Sequence, residues 1–231
     1  MSDRTAASAS AVLDVTASDP TTATFLASYF AAESAHDPAG SIAHFSPGAL
    51  TYSESPWGWV TDGFPGIQAG FETATPTWGD AISYPTGITG ITGGFPTGDG
   101  GAVVAFTNTP RVVGRELLHI LAAVDVRDHE IVRWVDYWDS SGIDPTFQAA
   151  HQAPSAAFPQ SFHEDDLEVM VPEPLRGVAP ELARALSAGD AAGAAALFDA
   201  DGVLEDDVLR TRVVGRRSIA ALLGRTADTA P

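Results

Sequence analysis

Four runs rich in Val, Ile, Leu and Trp follow one another closely: Ala81 to Ile91, Ala102 to Asn108, Arg115 to Arg127 and Ile131 to Trp138. Short Gly, Pro, Asp or His turns separate them, the pattern of strands that pair with their sequence neighbours. A meander of this kind forms one antiparallel sheet with a face to bury, and the chain ahead of it supplies the cover. Ser18-Asp19-Pro20 combines a capping oxygen with a proline suited to a first helical turn. Phe25, Leu26, Tyr29 and Phe30 then recur at helical spacing to about Ser34. Asp37-Pro38 caps a second short helix, Ala39 to Phe45, and Ala49 to Glu54 has strand character. Pro56 to Gly66 reads as a loop and Ile67 to Thr73 as a further helix. Helices first and an antiparallel sheet after them predict the α+β class.

The boundaries follow from where this patterning stops. Residues 1–17 read as a flexible leader, 18–140 as the α+β domain and 141–176, with its prolines and the acidic His163-Glu164-Asp165-Asp166, as a linker or wrapping arm. In 177–231 helical patterning resumes and the chain repeats itself. His36-Asp37-Pro38-Ala39-Gly40-Ser41-Ile42-Ala43-His44-Phe45 has a counterpart in Gly189-Asp190-Ala191-Ala192-Gly193-Ala194-Ala195-Ala196-Leu197-Phe198, each followed by a turn and a strand-like run. No meander follows the second copy, so it reads as an incomplete second unit.

Several function classes drop out on composition. Thirty Asp and Glu stand against 12 basic residues, every one of them Arg, for a net charge of −18. A chain so acidic has no general grip on a phosphate backbone, so nucleic acid is not an expected partner. The absence of cysteine removes disulfides, thiolate zinc sites and cysteine nucleophiles together. No apolar run approaches the length of a membrane span, and the first residues lack the form of a signal peptide, so the expectation is a cytoplasmic protein without membrane contact. His36, His44, His151 and His163 have no paired spacing, hence no metal site and no cofactor are expected. Gly94 to Gly101 precedes a strand and not a helix, which makes it a hairpin loop and no phosphate cradle.

The order of these elements, with Phe45-Ser46-Pro47-Gly48-Ala49-Leu50 entering the first strand and Asp128-His129-Glu130-Ile131-Val132-Arg133-Trp134-Val135-Asp136-Tyr137-Trp138-Asp139 closing the meander, resembles the SnoaL-like branch of the nuclear-transport-factor-2-like superfamily. The likeness covers about residues 20–140, with a weaker match at 177–226. It implies a cone, a strongly curved sheet around a pocket closed by the N-terminal helices. It also implies many activities: polyketide cyclases, ketosteroid isomerases, limonene-type epoxide hydrolases, dehydratases and proteins that only bind. Fold alone does not choose among them.

Strand alternation puts Trp134, Asp136 and Trp138 on one face, which the resemblance assigns to the pocket. A carboxylate between two tryptophans is poorly solvated, its pKa is raised, and it suits general acid or base work. The structural alternative is an acid bonded to the backbone or to Arg115. Some relatives pair such an Asp with a His on the preceding strand, here His119, and hairpin register decides whether the two meet. A two-residue turn at Asp128-His129 places His119 on the Asp136 face. A three-residue loop with a bulge, the favoured reading, swaps the faces and lines the pocket with Leu118, Ile120 and Ala122 instead.

Phe106 on the preceding strand is assigned to the same wall. The resemblance turns Thr51 and Ser53 inward, and a one-residue slip would turn Tyr52 inward instead. Trp57, Trp59, Phe64 and Phe71 flank the mouth, as a gate or as plain packing. The expected activity is cofactor-independent cyclisation or isomerisation of a small hydrophobic, polyketide- or terpenoid-like substrate. An epoxide hydrolase is the first alternative, although the strand Ala102 to Asn108 lacks the Arg and second Asp of those relatives. A binding or assembly module is the second, with homodimerisation or docking of the incomplete unit as expected partners.

Overall fold

The computed structural model describes residues 13, 15, 18, 20–49, 51–54, 58–90, 100–115, 117–138, 143–154, 156–158, 173–206 and 211–227. The chain divides into two compact units, 1–170 and 171–231.

The first unit opens with α1 (Pro20–Ser34) and α2 (Pro38–Ile42). Asp37 caps α2: its side chain accepts from the Gly40 backbone N–H at 3.0 Å, and Pro38 fills a first-turn position that has no use for a donor. The hairpin β1 (Thr51–Glu54) and β2 (Trp59–Asp62) leads into α3 (Gly63–Ala74) and a short 3₁₀ turn, Thr75–Thr77. The meander follows as β3 (Ser83–Gly90), β4 (Gly100–Asn108), β5 (Leu118–Arg127) and β6 (Glu130–Trp138), and α4 (Pro145–His151) comes after it.

All six strands form one open sheet in the order β2-β1-β6-β5-β4-β3. Every neighbouring pair is antiparallel except β1 and β6, which run parallel with Tyr52 opposite Trp134 and Ser53 opposite Val135. The α+β class and the helices-then-sheet order therefore hold. Two elements differ from the sequence reading. The stretch taken for a loop at 56–66 contains β2, a four-residue edge strand whose Trp-Val-Thr signal is masked by flanking Pro and Gly. The stretch taken for an arm contains α4, capped by Asp144, which accepts from the backbone N–H groups of Thr146 and Phe147.

The β5–β6 turn resolves the register. It has two residues, Asp128 and His129, both at positive φ (50° and 62°), the left-handed pair that matches strand twist in a tight hairpin. A bulge nevertheless exists, in β6 itself: Val126 pairs with Ile131 but Asp125 with Arg133, which leaves Val132 unpaired. Asp136 then lies opposite Ala122, and Trp138 opposite Ile120.

One face of the sheet carries Ala102, Val104, Phe106, Leu118, Ile120, Ala122, Val124, Trp134 and Trp138, all buried, against Leu26, Tyr29 and Phe30 of α1 and Ile67 and Phe71 of α3. Aromatic rings fill the contact: Tyr29 lies 5.0 Å from Trp134 and Phe30 5.1 Å from Phe106, centroid to centroid. Each such pair adds about 0.5–1.5 kcal/mol beyond the area it buries.

The second unit comprises α5 (Glu173–Ser187), α6 (Ala191–Ala196), the antiparallel hairpin β7 (Val203–Asp206) with β8 (Thr211–Val214), and α7 (Arg216–Ala227). Asp190 caps α6 as Asp37 caps α2, accepting from the Gly193 backbone N–H at 2.8 Å.

Candidate functional site

The apolar stripe of α1 runs Leu26, Tyr29, Phe30 and then Glu33, the positions i, i+3, i+4 and i+7 of one helix face. Packing that face on the sheet carries the Glu33 carboxyl inside with it, so that only 6% of the residue is exposed. Burial pushes its pKa from 4.5 up to about 7, and the nearby hydroxyls of Ser83 and Tyr29 offset only part of that rise. Asp136 on β6 is buried too. Desolvation raises its carboxyl well above the ordinary range and the neighbouring Glu33 charge raises it further, while a hydrogen bond from the Trp134 indole N–H to Oδ1 (2.5 Å) pulls the other way. The Tyr29 hydroxyl is held protonated by its burial and by Glu33 and Asp136. Two carboxyls and a phenol thus share one aromatic interior, and both acids retain protons beyond the pH at which exposed carboxyls release theirs.

A pocket of about 630 Å³, counted to its open mouth, reaches Glu33. Its wall is mostly apolar, with Trp59 from β2, Ile67 and Phe71 from α3, and Val113 from the β4–β5 connection; Trp78 and Asn108 add polar groups. Asn108 belongs to the same inward alternation as Ala102, Val104 and Phe106, one step further along β4.

Of the residues that the sequence singled out, Trp59 and Phe71 stand in this wall. Phe106, Leu118, Ile120, Trp134 and Trp138 are buried in the core beneath it, and Asp136 lies among them, outside the pocket lining. Asp136 bonds neither to Arg115, which is exposed, nor across to His119. His119 sits on the opposite face of β5, half-buried, with Nδ1 3.1 Å from the Thr107 hydroxyl. The bulge in β6 produces this separation. Tyr52 and Ser53 are placed in β1 by their backbone pairing, but their side chains, and Trp57 altogether, lie outside the described residues.

The sequence reading missed Glu33, Trp78 and Asn108. A signal for Glu33 was present: a carboxylate that continues an otherwise apolar i, i+3, i+4 stripe. Among the described residues no Arg or His lines the pocket. Arg111 is engaged with Asp80 at 2.8 Å in an exposed pair, and Arg133 with Asp125 at 2.6 Å on the other face of the sheet. Among the described residues no group of His, Asp and Glu is arranged to hold a metal ion, and no helix is long and apolar enough to cross a membrane.

Neither a protein-family model nor a curated protein sequence matches the chain. Solved structures do. An NTF2-like protein of unknown function from Burkholderia pseudomallei K96243 is 18% identical, over 53% of this chain and 94% of that one, with a TM-score of 0.42. A protein from Kribbella flavida DSM 17836 named after ketosteroid isomerase is also 18% identical, over 66% and 92%, at 0.41. SalBIII, described as an epoxide hydrolase/cyclase-like enzyme in pyran ring formation in polyether salinomycin, is 17% identical over 51% and 90%, at 0.38. The solved structures to which this chain is similar include proteins described as of NTF2-like and cystatin-like fold, isomerase-named and cyclase-like proteins, and others of unknown function.

Proposed function

We propose that the first unit carries out cofactor-independent acid–base catalysis, a cyclisation or isomerisation, on a small hydrophobic molecule of the polyketide or terpenoid kind, with Glu33 as the group that moves the proton. The supporting observation is a carboxyl with a pKa of about 7 in the wall of a mainly apolar pocket. At that pKa the acid and its conjugate base are both well populated near neutral pH, which suits a group that must take a proton and return it. The Glu33 carboxylate removes a proton from carbon beside a carbonyl. The C–H electron pair moves toward the carbonyl oxygen, and the same carboxyl returns the proton at another carbon, so nothing is consumed. Asp136, assigned the shuttle role by sequence, supports this site from behind: its burial raises its pKa and so disfavours a second negative charge in the interior.

Opening of an epoxide by water is the second reading. The presence of two buried carboxyls favours it, and the engagement of Arg111 and Arg133 outside the pocket weighs against it.

The test is exchange of solvent deuterium into the methyl group of acetophenone, followed by NMR. Wild-type protein is expected to accelerate exchange with a pH profile rising through about 7, and Glu33→Gln to slow it at least about a hundredfold. Asp136→Asn should slow it less. Equal rates in wild type and Glu33→Gln would overturn the assignment.

A further inference from the structure

Buried polar atoms without a partner are uncommon in a folded chain and call for an explanation. Among the described residues three of them belong to side chains that line the pocket that Glu33 reaches: Glu33 Oε2, the Trp78 indole Nε1 and the Asn108 amide Oδ1. All three residues are more than nine-tenths buried, at 6%, 4% and 5% exposure. They come from α1, from the residue that follows the 3₁₀ turn, and from the end of β4, so the tertiary fold and no local motif brings them together. Trp78 offers only a donor and the Asn108 oxygen only an acceptor. Apart from Thr61, the remainder of the wall is aromatic and aliphatic, and among the described residues no cationic side chain lines it. An anionic ligand would therefore meet a carboxyl and no counter-charge.

We propose that this pocket selects an uncharged, largely apolar molecule that carries both a carbonyl and a hydroxyl group, the carbonyl oxygen accepting from the Trp78 indole N–H and the hydroxyl donating to the Asn108 amide oxygen. The inference rests on the acid–base reading of the same pocket and deepens it, since a carbonyl held at Trp78 is the group that makes an adjacent C–H acidic. It leaves Glu33 out of the binding contacts, so binding and turnover can fail independently.

The probes are para-hydroxyacetophenone, acetophenone, para-ethylphenol and para-acetylbenzoate, with binding followed by titration calorimetry on the full chain. Para-hydroxyacetophenone is expected to bind about tenfold tighter than acetophenone, which lacks the hydroxyl, or para-ethylphenol, which lacks the carbonyl, because a site with buried polar groups rejects analogues that leave them unpaired. Para-acetylbenzoate should bind more weakly than all three. Trp78→Phe should erase the preference over para-ethylphenol while keeping that over acetophenone, and Asn108→Leu should do the reverse. Glu33→Gln should preserve the ranking even where it removes exchange; loss of exchange with the ranking intact supports both readings. An intact ranking with exchange unchanged overturns only the catalytic one. Equal affinity for the four probes in wild-type protein, or a ranking that survives both Trp78→Phe and Asn108→Leu, overturns the binding proposal.

Discussion

The two units share one order of elements, a helix, a short Asp-capped helix, a two-stranded hairpin and another helix, and the candidate site lies in the first. The correspondence is close in length: α1 and α5 both have 15 residues, α3 and α7 both 12, and the hairpin strands four each. What differs is what the first helix has to lie on. In the first unit β1 continues into a six-stranded sheet, whose apolar face covers Tyr29, Phe30 and Glu33. In the second the hairpin stands as a two-stranded sheet. The residue before the final Ser of α5, the place Glu33 occupies in α1, is Leu186, and it is 48% exposed. A perturbed acid needs burial as well as a carboxyl, and the meander is what supplies the burial here.

The largest expected effect is on packing. Phe30→Ala removes a ring held between Phe106, Trp134 and Tyr29 and should cost about 3–5 kcal/mol. Replacing Leu186 by Ala on α5 should change stability by less than about 0.5 kcal/mol, as an exposed substitution does. All five tryptophans precede residue 170, so denaturant unfolding followed by Trp fluorescence reads the first unit, and amide hydrogen exchange across 177–187 reads the second. A comparable loss at both positions would remove the contrast.

The next effect is electrostatic. Between pH 4.5 and about 7 folded Glu33 holds a proton that the unfolded chain has released. Raising the pH through that window therefore lowers stability, by on the order of 3 kcal/mol for a shift of this size. The stabilisation is fully present below the ordinary carboxylate pKa and is lost as pH climbs through about 7. Glu33→Gln should remove Glu33's share of the slope, leaving the variant more stable than wild type at neutral pH while its catalysis falls. Urea titrations at several pH values measure this, and an unchanged slope would place the Glu33 carboxyl in water.

Smaller effects test the likeness between the units. Asp37→Ala and Asp190→Ala each remove one side-chain bond at a helix start and should each cost about 1 kcal/mol. Fluorescence-detected unfolding reads the first, and amide hydrogen exchange across 191–196 reads the second. Unequal costs would show that the shared cap does different work in the two settings. The smallest expected change is at the β5–β6 turn. His129→Gly should stabilise the chain by about 0.5–1 kcal/mol, because glycine adopts the left-handed backbone found there without penalty. Its measure is the same fluorescence unfolding curve.

Much of this architecture was legible before any coordinates. Hydrophobic alternation outlined β3 to β6, and the i, i+3, i+4 stripe with its cap outlined α1, because such periodicities are local consequences of which face is buried. Short elements were harder: β2 and α4 each have only a few residues, and their Gly and Pro neighbours read as punctuation. The pairing of β1 with β6 had no local signature at all, since strand neighbours far apart in sequence are chosen by the packed whole. The candidate site divides in the same way. The sequence placed Asp136 on the buried face of β6 between Trp134 and Trp138, as alternation requires, and left two registers open for His119. A single unpaired residue in β6, Val132, settled the matter by turning the faces of β5 and β6 relative to each other.

The class of fold and the set of apolar faces can be read from the chain residue by residue, because burial periodicity is local. Which polar groups those faces carry inward together depends on the packed chain. Glu33, Trp78 and Asn108 come from three separate elements, and nothing in the sequence near any one of them names the other two. Their unpaired atoms and the raised pKa of Glu33 exist only once water has been excluded from the space between α1, α3 and the sheet. Desolvation is a property of the packed chain and not of any segment of it.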